Sequence, residues 1–140
     1  MTECAQLRSI RYRYIVVDDD QMNNMVSKFI IQRHDKQAEI QLFTDPEVAL
    51  DDIFGDSSSE DHQLQSIILL DINMPMMNGW EFLDHVENLR QHTRNHFRIY
   101  MISSSIDLSD KKRAEDHFLL SGFFSKPLNA DHLKTILSQR

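Results

Sequence analysis

The chain has 140 residues, of which 41% are hydrophobic and 26% are charged, a balance typical of one globular domain and not of a disordered chain. Its formal net charge of −7 lacks the basic excess that nucleic-acid binding normally requires, so no nucleic acid is expected as a partner. Cys4 is the single cysteine, no apolar run reaches membrane-spanning length, and no signal peptide is evident, so we expect a cytoplasmic protein without a membrane partner.

Residues 1–11 form a polar leader, and one domain is predicted from residue 12 to residue 140, with no output domain after it. Tyr14–Val17 is a β-branched apolar run typical of a strand buried on both faces, and three aspartates follow it at 18–20. The segment Asn23–His34 predicts a helix whose apolar residues recur at helical spacing and should face the core: Met22, Met25, Val26, Phe29 and Ile30.

A second strand and a second helix are predicted next. Ile40–Phe43 is a short apolar run of strand type. Thr44–Glu47 is typical of a helix start, because a polar cap, a proline at the first helical position and an acidic residue follow one another. We expect this helix to end at Gly55 and the serine-rich stretch 56–61 to form a surface loop.

The third strand is predicted from the run Ile67–Leu70, which leads directly into Asp71. Pro75 cannot donate a ladder hydrogen bond, so the strand must end before it. Open α/β sheets bind ligands at the carboxyl ends of their strands, which makes Asp71 a candidate site residue. A helix is predicted over about Gly79–Arg90, with these residues directed inward: Trp80, Phe82, Leu83, Val86 and Leu89.

Two more strand–helix pairs are predicted in the last third of the chain. Phe97–Ile102 is a fourth strand followed by Ser103, and Gly122–Ser125 is a fifth strand followed by Lys126. The helix between them, over Asp107–His117, is highly charged and has few apolar residues, so we expect it to be weakly anchored.

With a last helix capped by Asn129, the chain shows five strand–helix units in strict alternation, which predicts a doubly wound α/β fold with five parallel strands. In the strand order 2-1-3-4-5, strands one and three are neighbours at the switch point, so Asp18, Asp19 and Asp71 would converge. Three clustered carboxylates raise one another's pKa values unless a cation compensates them. Mg²⁺, a hard ion that prefers oxygen ligands, is the cofactor we expect.

This arrangement predicts phosphoryl chemistry. A carboxylate with a free oxygen can attack phosphorus to form an aspartyl phosphate. Lys126 and Mg²⁺ would neutralise charge on the transferring phosphoryl group, while Ser103 would donate a hydrogen bond to one of its oxygens.

Four short motifs carry a resemblance to a known family, and they are Val17-Asp18-Asp19, Leu69–Pro75 with Asn78-Gly79, Ile102-Ser103-Ser104, and Phe123–Pro127. Each motif alone is common, but the four in this order resemble the receiver domain of two-component response regulators over roughly residues 12–139. The resemblance implies the flavodoxin-like (βα)5 receiver fold, in its stand-alone single-domain form.

The resemblance also implies a role for individual residues of the site. Asp71 is similar to the phosphoacceptor of the family. Asp19, Asp71 and the backbone carbonyl of Asn73 are similar to the direct Mg²⁺ ligands, and Asp18 to the carboxylate that acts mostly through metal-bound water. Lys126 is similar to the lysine that pairs with the phosphate.

A switching mechanism is implied by the same resemblance. Ser103 is similar to the switch hydroxyl of the family, and Phe123 to the aromatic residue whose rotamer follows it. Phosphorylation would draw Ser103 toward the phosphate, and Phe123 would turn into the space that Ser103 leaves, which would bias the weakly packed helix over 107–117. The Lys126–Pro127 bond is expected to be cis, as in the family.

The implied partners are a sensor histidine kinase or a histidine phosphotransfer protein as donor, and an unknown downstream protein as target. The chain is then not an enzyme, except toward its own phosphorylation and dephosphorylation. Three alternatives remain: a phosphorelay intermediate that passes the phosphoryl group on, an interaction module that is never phosphorylated, and a Mg²⁺-dependent aspartyl-phosphate phosphohydrolase. Haloacid-dehalogenase-like phosphohydrolases carry a general-acid aspartate two residues after the nucleophile, where this chain has Asn73.

Overall fold

The computed structural model describes residues 11–55, 64–89, 96–105 and 107–139. The predicted leader, apart from Arg11, and the predicted serine-rich loop over 56–61 lie outside these residues. Within the described ranges, no helix combines the length and apolarity needed to cross a membrane.

Five strands alternate with five helices along the chain. The strands are β1 (Arg11–Val17), β2 (Glu39–Phe43), β3 (Leu64–Asp71), β4 (Phe97–Ser103) and β5 (Leu120–Ser125). The helices are α1 (Gln21–His34), α2 (Pro46–Phe54), α3 (Gly79–Glu87), α4 (Leu108–Asp116) and α5 (Ala130–Ser138). Every predicted element is present, and most strands begin earlier in the chain than their apolar runs indicated.

The five strands form one parallel sheet in the order β2-β1-β3-β4-β5, which confirms the predicted doubly wound fold. The register aligns the carboxyl ends of the central strands, with Val17 opposite Leu70 and Ser103 opposite Ser125. Residues that follow these ends are therefore brought to one edge of the sheet.

Two hydrophobic clusters, one on each face of the sheet, form the core. The first joins α2, α3 and α4 to one set of strand side chains, including Val17 and Leu70. The second joins α1 and α5 to the alternate set, including Val16 and Leu69. Because both sets of alternating side chains are buried in the three central strands, the carboxyl-terminal parts of β1, β3 and β4 are apolar runs without polar alternation, as the sequence indicated.

The predicted core face of α1 is wrong for four of its five residues, whereas Ile30 is partly buried and packs against the second cluster, as predicted. Met22, Met25 and Phe29 are 67%, 64% and 58% exposed, and Val26 is also exposed. The buried residues of the helix are instead Asn24, Ser27 and Ile31. The side chain of Asp20 caps the helix by accepting a hydrogen bond from the Met22 backbone N–H at 2.8 Å, which marks where the helix starts.

Helix α4 has a single buried residue, Ala114, which agrees with the predicted weak apolar anchoring. It is held to α3 by polar contacts with Trp80. The indole Nε1 donates to Oδ1 of Asp110 at 3.2 Å, and the guanidinium carbon of Arg113 lies 4.3 Å from the centroid of the Trp80 ring system. A cation over an aromatic face is an electrostatic attraction, so α4 is fastened mainly by charge and hydrogen bonding.

Candidate phosphoryl-transfer site

Three aspartates meet at the carboxyl ends of β1 and β3. Asp18, Asp19 and Asp71 each offer a carboxylate oxygen, and these oxygens lie within 4.8 Å of one another. Asp18 and Asp71 are buried, whereas Asp19 is exposed. The structure thus brings together the three carboxylates that the strand order predicted.

Lys126 reaches this cluster from the end of β5. Its Nζ atom lies 2.6 Å from Oδ2 of Asp18 and 3.3 Å from Oδ1 of Asp71. The Lys126 backbone N–H donates to the carbonyl of Ser103 at 2.8 Å, which ties the residue to the end of β4. The peptide bond between Lys126 and Pro127 is cis, as predicted.

The charges at the cluster are not balanced by the protein alone. The pKa of Asp71 is raised to about 6, first by burial and then by the negative charge of Asp18, against the opposing effect of Lys126. Burial would lower the pKa of Lys126, but its hydrogen bond to Asp18 and the two carboxylate charges raise it overall. One ammonium group facing three carboxylates leaves an excess of negative charge, which a divalent cation would compensate.

The loop after β3 approaches the sheet closely. The Asn73 backbone N–H donates to Oδ1 of Asp71 at 3.3 Å, while the Asn73 side chain is exposed. The role of the Asn73 carbonyl as a metal ligand stays a prediction.

A Cβ atom on Gly79 would lie 2.8 Å from the carbonyl oxygen of Asp71 and 3.1 Å from Cα of Ile72, so only glycine lets α3 begin this close to the strand end.

Ser103 and Phe123, the predicted switch residues, lie on neighbouring strands. Ser103 is buried, and its hydroxyl donates to the carbonyl of Ser105 at 2.8 Å and accepts from the Ser105 N–H at 3.3 Å. The hydroxyl is therefore engaged with its own loop. Phe123 is partly buried and packs against the cluster that contains Trp80 and Ala114.

A narrow cleft of about 20 Å³ opens beside the cluster. Its polar lining includes Asp18, Asp71 and Lys126, and α1 contributes Asn23, Val26 and Ser27. This volume holds about one water-sized particle. The carboxylate oxygens of the adjoining cluster of Asp18, Asp19 and Asp71 are the donor type that a hard cation such as Mg²⁺ prefers.

Sequence reasoning did not single out Asn24, which is 2% exposed and lies beside Asp18. An asparagine in the first turn of a helix carries only a weak signal, since asparagine is common near helix starts whether or not its side chain is buried.

The fold and the site define a doubly wound α/β protein with a carboxylate cluster and a lysine at the carboxyl ends of its strands. The family model of the response regulator receiver domain matches residues 14–138. The chain belongs to the response regulator receiver family, whose members serve two-component signalling.

Solved structures agree with this assignment. A two-component response regulator from Cytophaga hutchinsonii is 30% identical, with 91% of this chain and 95% of that chain covered and a TM-score of 0.78. A response regulator receiver protein from Dyadobacter fermentans is 26% identical, with 91% and 96% covered and a TM-score of 0.80. The response regulator TrrA from Thermotoga maritima, solved in complex with Mg(2+)-BeF, is 21% identical, with 91% and 97% covered and a TM-score of 0.66. Comparison with curated proteins gives no significant match.

Proposed function

We propose that this chain is a single-domain response regulator that accepts a phosphoryl group on Asp71 and thereby switches a protein-interaction surface. The observation that carries the proposal is the convergence of Asp18, Asp19 and Lys126 on the buried Asp71 carboxylate. The donor is a phosphohistidine of a sensor histidine kinase or a histidine phosphotransfer protein, in agreement with the partners of the family in general.

Asp18, Asp19, Asp71 and the carbonyl of Asn73 are the groups that would hold Mg²⁺. The excess negative charge of the cluster supports this assignment, and so does the Mg(2+)-BeF complex of the Thermotoga regulator with the same fold. Bound Mg²⁺ would supply positive charge that stabilises the phosphoryl oxygens.

The transfer is one substitution at phosphorus. An oxygen of the ionised Asp71 carboxylate attacks the phosphorus, an O–P bond forms, and the N–P bond to the donor imidazole breaks. The electron pair of that bond returns to the imidazole nitrogen, which takes a proton from solvent. Lys126, already 3.3 Å from Oδ1 of Asp71, is in place to pair with a phosphoryl oxygen.

Switching follows from what Ser103 contacts. Its hydroxyl is now bonded to the Ser105 backbone, and a phosphoryl group on Asp71 offers a charged acceptor in exchange. A movement of Ser103 frees space beside Phe123, which packs on the cluster shared with α4. Since α4 has one buried residue, it is the element that yields most easily.

The exposed apolar residues of α1 form the surface that we assign to the phosphodonor. Met22, Met25, Val26 and Phe29 are exposed on a helix that borders the cleft at Asp71, and Met76 is 67% exposed on the loop after β3. Large apolar side chains left in water beside a reacting group are typical of a protein-docking surface.

The docking role can be separated from the chemistry. We expect the double substitution Met25→Ser and Phe29→Ser to slow phosphorylation by a phosphohistidine protein at least tenfold while leaving phosphorylation by acetyl phosphate unchanged. Val48→Ser, which removes an exposed apolar residue of α2, is the matched control. Equal rates from the protein donor in all variants would refute the docking assignment.

The proposed function is tested by incubating the protein with Mg²⁺ and acetyl phosphate and measuring its intact mass. We expect the mass of one phosphoryl group to be added and to persist for minutes, and the addition to vanish in Asp71→Asn and on chelation of Mg²⁺. Asp84→Asn, at an exposed position of α3, should behave as wild type. Continuous release of inorganic phosphate over many turnovers would instead support the phosphohydrolase alternative.

A further inference from the structure

Asn24 is a buried polar residue that none of the preceding roles uses. It lies in the first turn of α1 and is 2% exposed. Its Nδ2 donates to the carbonyl of Asp18 at 3.0 Å and to the carbonyl of Phe43 at 3.3 Å. One amide group thus joins α1 to the carboxyl ends of β1 and β2.

The buried Asn24 side chain destabilises the fold in two ways, so its role goes beyond filling space in the core. Oδ1 of Asn24 is buried and meets no hydrogen-bond donor among the residues that the structure describes. A buried acceptor without a partner destabilises the folded state, and asparagine is a weaker helix former than leucine. An apolar residue would avoid both penalties. The favourable contribution of the Asn24 side chain therefore lies in its two donated hydrogen bonds.

The carbonyl that Asn24 holds belongs to the peptide unit between Asp18 and Asp19. A peptide unit is planar, so a hydrogen bond that holds its oxygen restrains the orientation of the plane that joins the Cα atoms of the two aspartates. The other polar groups of Asp18 are also engaged: its N–H donates to Phe43, its Oδ1 accepts from the Asp20 N–H, and its Oδ2 accepts from Lys126. The Asp18 backbone carbonyl is the remaining polar group of this residue, and Asn24 donates a hydrogen bond to it.

We propose that Asn24 is a positioning residue that orients the Asp18–Asp19 peptide, so that both carboxylates are presented to a divalent cation together with Asp71. It touches neither the cation nor the phosphoryl group. The inference rests on the proposed function, because it assumes that this cluster is the Mg²⁺ site. Groups that orient metal ligands typically change metal affinity 10- to 100-fold when they are removed.

The test is the Mg²⁺ affinity of the full chain carrying Asn24→Leu, measured by isothermal titration calorimetry with MgCl₂. We expect the dissociation constant to rise about tenfold or more, since leucine fills the space but donates no hydrogen bond. Nuclear magnetic resonance of the Mg²⁺-free proteins should also show a shifted Asp19 amide, the N–H of the peptide that Asn24 holds.

Ile31→Ala is the matched control for lost stability, since Ile31 is fully buried on the same helix and carries no polar atom. It should lower the unfolding midpoint yet keep the Mg²⁺ dissociation constant within twofold of wild type. Asn24→Ala serves as a second variant in case leucine overpacks the site.

The outcomes separate this inference from the function on which it rests. If wild type binds Mg²⁺ and a folded Asn24 variant binds it within twofold as tightly, the positioning role is refuted and the proposed function stands. If Ile31→Ala weakens Mg²⁺ binding as much as Asn24→Leu, the effect is general loosening and the inference also fails. If wild type itself binds no Mg²⁺ and Asp71 accepts no phosphoryl group, the proposed function fails and this inference fails with it.

Discussion

The Nζ atom of Lys126 lies 2.6 Å from Oδ2 of Asp18, closer than the 3.3 Å that separates it from Oδ1 of Asp71. The lysine therefore pairs most closely with the carboxylate at the end of β1 and leaves Asp71 only partly compensated. This unequal sharing agrees with the raised pKa of Asp71. Lys126 should therefore stabilise the folded protein when no cation is bound, in addition to its proposed role in phosphoryl transfer.

Removal of Lys126 should destabilise the protein most when Mg²⁺ is absent. In Lys126→Gln the two buried carboxylates lose their counter-charge, and breaking such a pair costs about 3–5 kcal/mol in the buried limit. Because the Lys126 side chain is 14% exposed, we expect a loss of about 2–3 kcal/mol at pH 7.5, measured by urea unfolding with a chelator. Saturating Mg²⁺ should restore part of it. Lys134→Gln, at an exposed position of α5, is the control, and an equal loss there would contradict the prediction.

The pKa of Asp71 predicts how stability varies with pH. Since the pKa is raised from 3.8 to about 6 in the folded protein, the folded state binds more protons than the unfolded state between these values. The stability contributed by the neutral carboxyl is full below pH 3.8 and is lost as the pH rises through 6. Asp71→Asn keeps the site neutral, so above pH 6 it should stabilise the Mg²⁺-free protein by up to about 3 kcal/mol.

Urea unfolding of wild type and Asp71→Asn at pH 5 and pH 7.5, with a chelator present, measures this effect. The difference in unfolding free energy between the two proteins should be larger at pH 7.5. A difference that does not change with pH would show that the Asp71 carboxyl titrates at its ordinary value when the protein is folded.

Trp80, the only tryptophan, should report on the position of α4. Its ring carries the cation–π contact with Arg113 and the hydrogen bond to Asp110, so a phosphate analogue that displaces α4 should change its fluorescence. Arg113→Gln should lower the free energy of unfolding by about 0.5–1 kcal/mol and speed amide hydrogen exchange in α4. Lys112→Gln is the control on the same helix. Unchanged exchange in Arg113→Gln would show that the contact does not anchor α4.

Gly79→Ala should damage both stability and the site. The added Cβ would lie 2.8 Å from the Asp71 carbonyl oxygen, and neither backbone segment can move without shifting the strand end. We expect a loss of about 1–3 kcal/mol in urea unfolding together with weaker Mg²⁺ binding in calorimetry. Normal Mg²⁺ affinity in a destabilised Gly79→Ala protein would mean that the strain is absorbed by α3 and does not reach Asp71.

Much of the fold was predictable because its signals are local. Apolar runs predicted the five strands, and the helix starts at Asp45 and Asn129 were visible from capping residues whose side chains do bond the first-turn N–H groups. The alternation of strands and helices then left few topologies, and the expected strand order places Asp18 and Asp71 at the ends of neighbouring strands.

The helix faces were less predictable. The apolar residues of α1 recur at helical spacing, which shows that they share one face of the helix. The spacing does not show whether that face packs against the core or binds a partner. In the folded chain Ile31 packs in the core and Asn24 bonds to the ends of β1 and β2, which leaves Met25 and Phe29 in solvent. The fastening of α4 by Trp80 likewise depends on two helices that meet only in the folded chain.

The family, the strand order and the set of side chains at the strand ends were all predictable from the sequence, because these depend on local patterns and on the few ways in which strands and helices can alternate. Tertiary structure decided how charge is shared within that set. It placed Lys126 nearer to Asp18 than to Asp71, and it put the amide of Asn24 on the peptide that joins the two β1 aspartates. Distances of a few tenths of an ångström control these electrostatic and hydrogen-bonding effects, and they are set only when the ends of distant strands pack together.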